Sequence, residues 1–298
     1  MINRIIVNTI LRVFIKPLWS DSPTVDKVRR RFSLLDRISN FGRAVTPQRS
    51  EQVGHINLEW FGSDVAKDQG VILYLHGGAF CVRAPLADRR FCKDISQRTG
   101  LPVVMVEYRL SPEFPFPAGL DDCYHIFLWL QERGILANRI VLLGHSAGAN
   151  LALSTLIRTR KNGLQQPAGA ILLSAPVDLS ASELFTKTNA RSDVMFTADI
   201  WPWVIQSYLS NTSTDNPEVS PILDNWNGFP PLHFHVSESE LLLNNSLRAV
   251  QHAGTCGVEV KLTRWAGMPH SFPFIETLSN AKHCRVKISQ FVAKLLSA

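Results

Sequence analysis

A serine set between glycines is the strongest chemical signal in this chain. Gly144-His145-Ser146-Ala147-Gly148 has the form Gly-x-Ser-x-Gly. The apolar run Ile140-Val141-Leu142-Leu143 precedes it, and the helix-forming run Ala149 to Arg158 follows. A strand, a sharp turn and a helix in that order make a nucleophile elbow, in which a strained serine lifts its hydroxyl clear of the strand end. The turn needs small flanking residues, which Gly144, Ala147 and Gly148 supply. A serine hydroxyl is a weak nucleophile near neutral pH, so Ser146 requires a base, and the base requires an orienting acid.

In the chain order serine, acid, histidine, the base belongs on a loop after the last strand. Trp265-Ala266-Gly267-Met268-Pro269-His270-Ser271-Phe272 fits, because a strand ends there, a Gly and a Pro shape the loop, and a helix follows. His270 is the expected general base. His55 and His235 fall inside expected strands, and His233 and His235 face the same side. His125, His252 and His283 fall on helices, where a packed or solvated histidine is usual. His145 adjoins the serine but is expected to point away from its hydroxyl. The acid must hold the imidazole and stabilise the imidazolium. Glu238 and Glu240 both follow the expected strand Leu232–Val236. Glu240, at the mouth of the next helix, is favoured over Glu238; the other carboxylate then merely answers the helix dipole. Upstream, His76-Gly77-Gly78-Ala79 follows the run Val71–Leu75. The N–H groups of Gly77, Gly78 and Ala147 are the expected oxyanion donors, since glycine lets the backbone approach the reacting carbonyl. His76 is expected to anchor that loop and not to take part in the chemistry.

Short apolar runs that alternate with helical stretches must position these groups. Strands are expected at Val53–Phe61, Val71–Leu75, Pro102–Val106, Ile140–Leu143, Ala170–Leu173, Leu232–Val236 and Val258–Arg264. Helices are expected at Arg89–Thr99, Gly119–Arg133, Ser146–Lys161, Leu241–Cys256 and Phe272–Leu296. This alternation implies a mostly parallel sheet covered on both faces. Residues 1–50 read as two or three short helices interrupted by Pro17 and Pro23, a cap segment. Residues 180–215 break the rhythm, with helical stretches at Ser182–Thr188 and Thr197–Leu209, and read as a second, inserted cap segment. Residues 51–179 and 216–298 then form the catalytic core.

The chain has 298 residues, 45% hydrophobic and 19% charged, enough for one α/β unit with a large core. No apolar run reaches the ~18–20 residues of a membrane span. The apolar N-terminus is broken by Arg4, Arg12 and Lys16 and lacks a small-residue cleavage site, so it does not read as a signal peptide. Five scattered cysteines without a Cys-x-x-Cys pair read as reduced thiols of a cytoplasmic protein, and no metal site is expected. The net charge of +6 is uneven: residues 1–50 carry +7 and the remainder −1. The basic segment reads as a solvated helix face, or as a weak contact with an anionic membrane surface or acidic substrate. No nucleic-acid motif accompanies it.

Taken in order, these motifs resemble the hormone-sensitive-lipase-like esterases and lipases of the α/β-hydrolase superfamily, of the bacterial family IV type. The resemblance runs from Glu59-Trp60 and Leu73-Tyr74-Leu75-His76-Gly77-Gly78 through Tyr108-Arg109-Leu110-Ser111-Pro112-Glu113 and Phe116-Pro117-Ala118. It continues with Asp121-Asp122-Cys123, the elbow with Ala149-Asn150, Ser220-Pro221 and Gly267-Met268-Pro269-His270. It implies an eight-stranded sheet, a helical cap, and hydrolysis of small-molecule carboxylic esters without a cofactor, with short acyl chains preferred. Arg109 and Glu113 would buttress the oxyanion loop, and Phe80 and Trp201 would line the substrate pocket. A homodimer is compatible with the resemblance. The chain departs from the pattern in His145, where aspartate is usual, in Ala79, where a third glycine is common, and in Glu240-Leu241-Leu242, where Asp-Pro-Leu is common. The same machinery would also suit a lactone, carbamate or amide. A non-catalytic receptor on this fold is the reading from another class; plant gibberellin receptors resemble the family but lack the histidine that His270 supplies here.

Overall fold

The expected alternation becomes one eight-stranded sheet in the computed structural model, which describes residues 4–19, 23–63, 70–180 and 189–297. The strands are β1 (Arg49–Val53), β2 (Ile56–Phe61), β3 (Val71–Leu75), β4 (Val103–Glu107), β5 (Ile140–His145), β6 (Gly169–Leu173), β7 (Leu232–Ser237) and β8 (Val260–Trp265). Their spatial order is β1-β2-β4-β3-β5-β6-β7-β8. β2 pairs antiparallel with both β1 and β4, and every other pairing is parallel. The carboxyl ends of β5, β6, β7 and β8 therefore lie along one edge, which is where ligands bind in parallel α/β sheets.

Side-chain alternation along each strand feeds two separate cores. On β3, Val71, Leu73 and Leu75 join one apolar cluster, whereas Ile72 and Tyr74 join another on the opposite face. Helices α4 (Ala118–Glu132), α5 (Ala147–Lys161) and α7 (Leu243–Thr255) cover the first face, and α3 (Pro85–Thr99) and α8 (Ser279–Leu296) cover the second. Helix α5 is buried along most of its length, from Ala147 to Thr159. Burial on every side explains why the run after the elbow shows no single apolar stripe.

The N-terminal segment forms α1 (Arg4–Phe14), a 3-10 turn (Lys16–Trp19) and α2 (Val25–Ser39). Thr24 caps α2 by accepting from Lys27 N–H at 3.3 Å. The helical reading of residues 1–50 runs too far, since the helix ends at Ser39 and Arg49–Ser50 already pair in the sheet. The single expected strand Val53–Phe61 is a hairpin, β1 and β2 turning at Gly54-His55, so His55 sits in a turn and pairs with Asp122 at 2.8 Å. The expected helix Phe272–Leu296 is broken. Ser271 takes a left-handed conformation, Phe272–Phe274 form a 3-10 turn, and α8 starts at Ser279. Within the inserted segment α6 spans Ile200–Leu209, while the expected helix Ser182–Thr188 lies outside the described residues. The two peripheral segments meet through Trp19 and Trp203, whose rings lie 5.3 Å apart, and through Trp203 Nε1 donating to the Pro23 carbonyl at 2.6 Å.

Candidate active site

Ser146 stands at the turn from β5 to α5 with φ 50° and ψ −118°. Non-glycine residues rarely hold such a conformation, and it concentrates at functional turns. Its N–H donates to the Leu173 carbonyl at 2.8 Å, which ties the turn to β6. The glycines beside it are required by close packing. A Cβ on Gly148 would lie 2.0 Å from the Leu75 carbonyl oxygen, and one on Gly144 would lie 2.4 Å from the Gly148 oxygen. Asn150 secures the helix by donating to the carbonyls of Pro176 and Val219 at 2.8 and 2.9 Å.

His270 and Glu240 come together from the loops that follow the carboxyl ends of the parallel neighbours β8 and β7. His270 Nδ1 lies 3.1 Å from Glu240 Oε2, and both side chains are almost fully buried. Glu240 Oε2 also accepts from Ser174 Oγ at 3.0 Å. Glu238 points elsewhere: it is half-exposed and faces Arg264 at 3.5 Å. Asn189 holds the acid-bearing turn by donating to the Glu238 and Glu240 carbonyls, and Asp193 accepts from Leu241 N–H. Ser237 Oγ donates to the Met268 carbonyl and links the end of β7 to the His270 loop.

The Gly77-Gly78 loop faces the same space. Gly78 has φ 123°, and a Cβ there would strike the Val82 carbonyl at 1.9 Å. His76 anchors the loop, with Nδ1 2.7 Å from the Gly77 carbonyl and its ring stacked on Tyr108 at 4.1 Å. Tyr108 Oη in turn donates to the His76 carbonyl at 2.8 Å. Burial pushes the His76 imidazole down to about 3, so it stays neutral at physiological pH.

Arg109 does not reach the Gly77-Gly78 loop, contrary to what the resemblance implies. Its guanidinium pairs with Asp122, 2.8 Å away, and its backbone N–H donates to the same carboxylate. Glu113 pairs instead with Arg29 of α2, which also donates to the carbonyls of Cys81 and Ser111. The brace on the loop thus comes from the N-terminal helix.

His145 faces the His270 loop, with Nε2 2.9 Å from Ser271 Oγ and its ring 5.4 Å from that of His270. A Cβ on Gly77 would lie 2.4 Å from His145 Nδ1. Burial, reinforced by the neighbouring His270 and His76, lowers the His145 pKa far below the usual histidine value, so this ring is neutral too.

Ser146, His270, Gly77, Gly78 and Ala147 all line one cavity of about 200 Å³. Phe80 and Trp201 line it as well, Phe80 being stacked on Tyr208 of α6 at 3.7 Å. Phe196 closes one side, its ring 4.9 Å from that of His270. Ser174, Ser271, Phe196 and Arg29 went unread in the sequence. Each acts across dozens of residues or more, and no local pattern marks them. Among the described residues no group of His, Cys, Asp and Glu could hold a metal ion, and no helix is long and apolar enough to cross a membrane.

The family described as the alpha/beta hydrolase fold matches residues 72–274. An acetyl-hydrolase of Streptomyces hygroscopicus is 33% identical over 227 residues, 76% of this chain and 75% of that protein. A crystal structure of the esterase EstE5 soaked with p-nitrophenyl butyrate superposes with a TM-score of 0.88 at 28% identity, covering 99% of both chains. That of an esterase from the bacterial hormone-sensitive lipase family gives 0.86 at 29% identity over 98% of both. With its eight-stranded sheet and its serine, glutamate and histidine in this order, the chain belongs to the α/β-hydrolase fold family, among the hormone-sensitive-lipase-like esterases.

Proposed function

We propose that this chain hydrolyses small carboxylic esters by an acyl-enzyme mechanism in which Ser146 is the nucleophile, His270 the base and Glu240 the acid. The observation that carries the reading is the buried His270–Glu240 contact of 3.1 Å beside the cavity that Ser146 lines. In this mechanism Ser146 Oγ attacks the ester carbonyl while His270 takes its proton. Glu240 stabilises the imidazolium so formed. The oxygen that becomes negative receives the N–H groups of Gly77, Gly78 and Ala147, each worth about 2.7–4 kcal/mol in the transition state. His270 then protonates the departing alcohol, and water attacks the acyl group through the same base.

Cavity size and lining support short acyl chains. An apolar void of about 150 Å³ is enough for benzene, and this one measures about 200 Å³ between residues such as Phe80, Phe196, Trp201 and Leu242. The relatives fit, one being an acetyl-hydrolase and another a protein soaked with a butyrate ester. We take residues 4–39 and the described part of 180–215 as the cap, since Trp19, Phe32, Phe196 and Trp201 line the cavity together with Ser146 and the Gly77-Gly78 loop. Five free thiols, four of them buried, suit a reducing compartment such as the cytoplasm. A chain-length series of p-nitrophenyl esters tests the substrate class. Acetate and butyrate should turn over faster than decanoate, with Ser146→Ala inactive on all; faster turnover of the long esters would overturn the short-chain assignment.

A further inference from the structure

The outer side of the two N-terminal helices is apolar where a solvated helix would be polar. Of thirteen large hydrophobic residues exposed in the described chain, eight lie between positions 5 and 41. On α1, Ile6, Ile10, Val13 and Phe14 recur at helical spacing and are each about half-exposed, from 47% to 57%. On α2, Leu34 and Ile38 lie one turn apart and are 52% and 63% exposed, and Phe41 just beyond is 90% exposed. Single exposed apolar residues are ordinary, but a cluster marks a contact surface. The two helices are neighbours, because Leu11 and Ile15 share a small core with Phe32 and Leu35.

Cations are interleaved with these apolar groups. A helical projection of α2 puts Lys27, Arg30, Arg31 and Arg37 on the same outward arc as Leu34 and Ile38, and all four are exposed. Among the described residues none of these four is in an ion pair, and Asp26 is the one exposed carboxylate of α2. The other α2 cation, Arg29, is turned inward onto Glu113. A second copy of the chain would be a poor occupant, since a two-fold interface would set the +7 segment against itself.

We propose that the outer face of α1 and α2 docks on the surface of a membrane containing anionic phospholipid. The apolar side chains enter the headgroup and acyl boundary, while the lysine and arginines meet lipid phosphates. The inner sides of the same elements touch the candidate site. Phe32 lines the cavity, and Asn8 and Arg4 donate to the carbonyls of Gly267 and Ala266 in the His270 loop. Docking would therefore orient the cavity toward the lipid. The proposal does not depend on the esterase chemistry.

Co-sedimentation with vesicles of phosphatidylcholine alone and of phosphatidylcholine mixed with phosphatidylglycerol tests it. The protein should partition onto the mixed vesicles, weakly or not at all onto the neutral ones, and less as salt is raised. Each basic residue near an anionic surface strengthens partitioning by about fivefold, so removing two with Arg30→Gln plus Arg31→Gln should weaken it by about 25-fold. Ile10→Asn plus Phe14→Asn should weaken it as well. Both variants should hydrolyse p-nitrophenyl acetate like the parent, which separates lost docking from lost folding. No partitioning of the parent onto the anionic vesicles would overturn the proposal. So would equal binding to both vesicle types that neither variant changes. Concentration-dependent dimerisation abolished by the same substitutions, without vesicle binding, would assign the face to a protein partner and equally overturn it.

Discussion

Replacing Glu240 by glutamine isolates the electrostatic part of the proposed triad. The side chain keeps its size, and its amide oxygen can still accept from Ser174 Oγ, now 3.0 Å from Glu240 Oε2. What disappears is the negative charge 3.1 Å from His270 Nδ1. At an effective dielectric of about 20, opposite unit charges at that separation attract by about 5 kcal/mol. The attraction exists only once His270 has taken the serine proton, so it belongs to the transition state. At 1.36 kcal/mol per tenfold it corresponds to roughly four decades of rate. The amide can also turn its NH₂ toward Nδ1, which forces the proton onto Nε2 and leaves His270 unable to act as a base. Glu240→Gln should therefore lower kcat/KM for p-nitrophenyl acetate by about 10³- to 10⁴-fold, with the unfolding midpoint near that of the parent. Glu238→Gln is the control. Its half-exposed contact with Arg264 is of the surface kind worth about 0–1 kcal/mol, and it should leave kcat/KM within about twofold of the parent. A loss below about tenfold in Glu240→Gln, or an equal loss in Glu238→Gln, would refute the assignment.

Other perturbations read different parts of the site. Gly77→Ala drives a methyl group to 2.4 Å from His145 Nδ1, so the loop must shift and kcat/KM should drop by about 10²–10³. Gly254→Ala, in open space on α7, should instead add about 0.5–1 kcal/mol of stability, which equilibrium denaturation would report. His145→Ala removes a single hydrogen bond to Ser271 and should cost about tenfold or less in kcat. His270→Ala should cost at least about a thousandfold, and comparable losses in the two would make His145 part of the chemistry. Asp88 supplies a pH test. Burial pushes its carboxyl up to about 7, against the pull of the Tyr74 hydroxyl at 2.6 Å and of Arg83. The folded state then holds a proton that the unfolded chain releases near 3.8, the ordinary value for the group. Stability from this group is highest at acid pH, falls as pH rises from about 4 to 7, and is lowest above that window. Asp88→Asn should raise the thermal midpoint at pH 8 relative to the parent, with the gap closing toward pH 4; a gap that widens toward acid pH would contradict the burial argument.

The site was legible where local geometry dictates residue type. Gly144 and Gly148 are glycines because strand and helix pass within contact distance of them. The His270 loop announces itself through Gly267 and Pro269, and Glu240 through its place after β7. Of the two carboxylates offered there, the one with its side chain buried is the one beside His270. What stayed hidden has physical reasons. Strand β1, Arg49-Ser50-Glu51-Gln52-Val53, is a largely exposed edge strand and carries no apolar run to betray it. The break before α8 rests on a left-handed serine, Ser271, a conformation with no sequence mark outside glycine and asparagine. Resemblance places Arg109 on the loop, but Asp122 of α4, 13 residues on, takes its guanidinium in a bidentate pair. The brace that exists, Arg29 on Cys81 and Glu113, spans 52 and 84 residues of chain. Phe196 meets His270 by tertiary packing alone.

Labelling with a fluorophosphonate probe, followed by peptide mass spectrometry, tests the central claim most directly. The reagent reports a serine made nucleophilic by its surroundings. One adduct per chain, on the peptide that contains Ser146, and its loss in His270→Ala are the expected results. A folded protein that stays unlabelled, or that carries the adduct on another residue, would contradict the account.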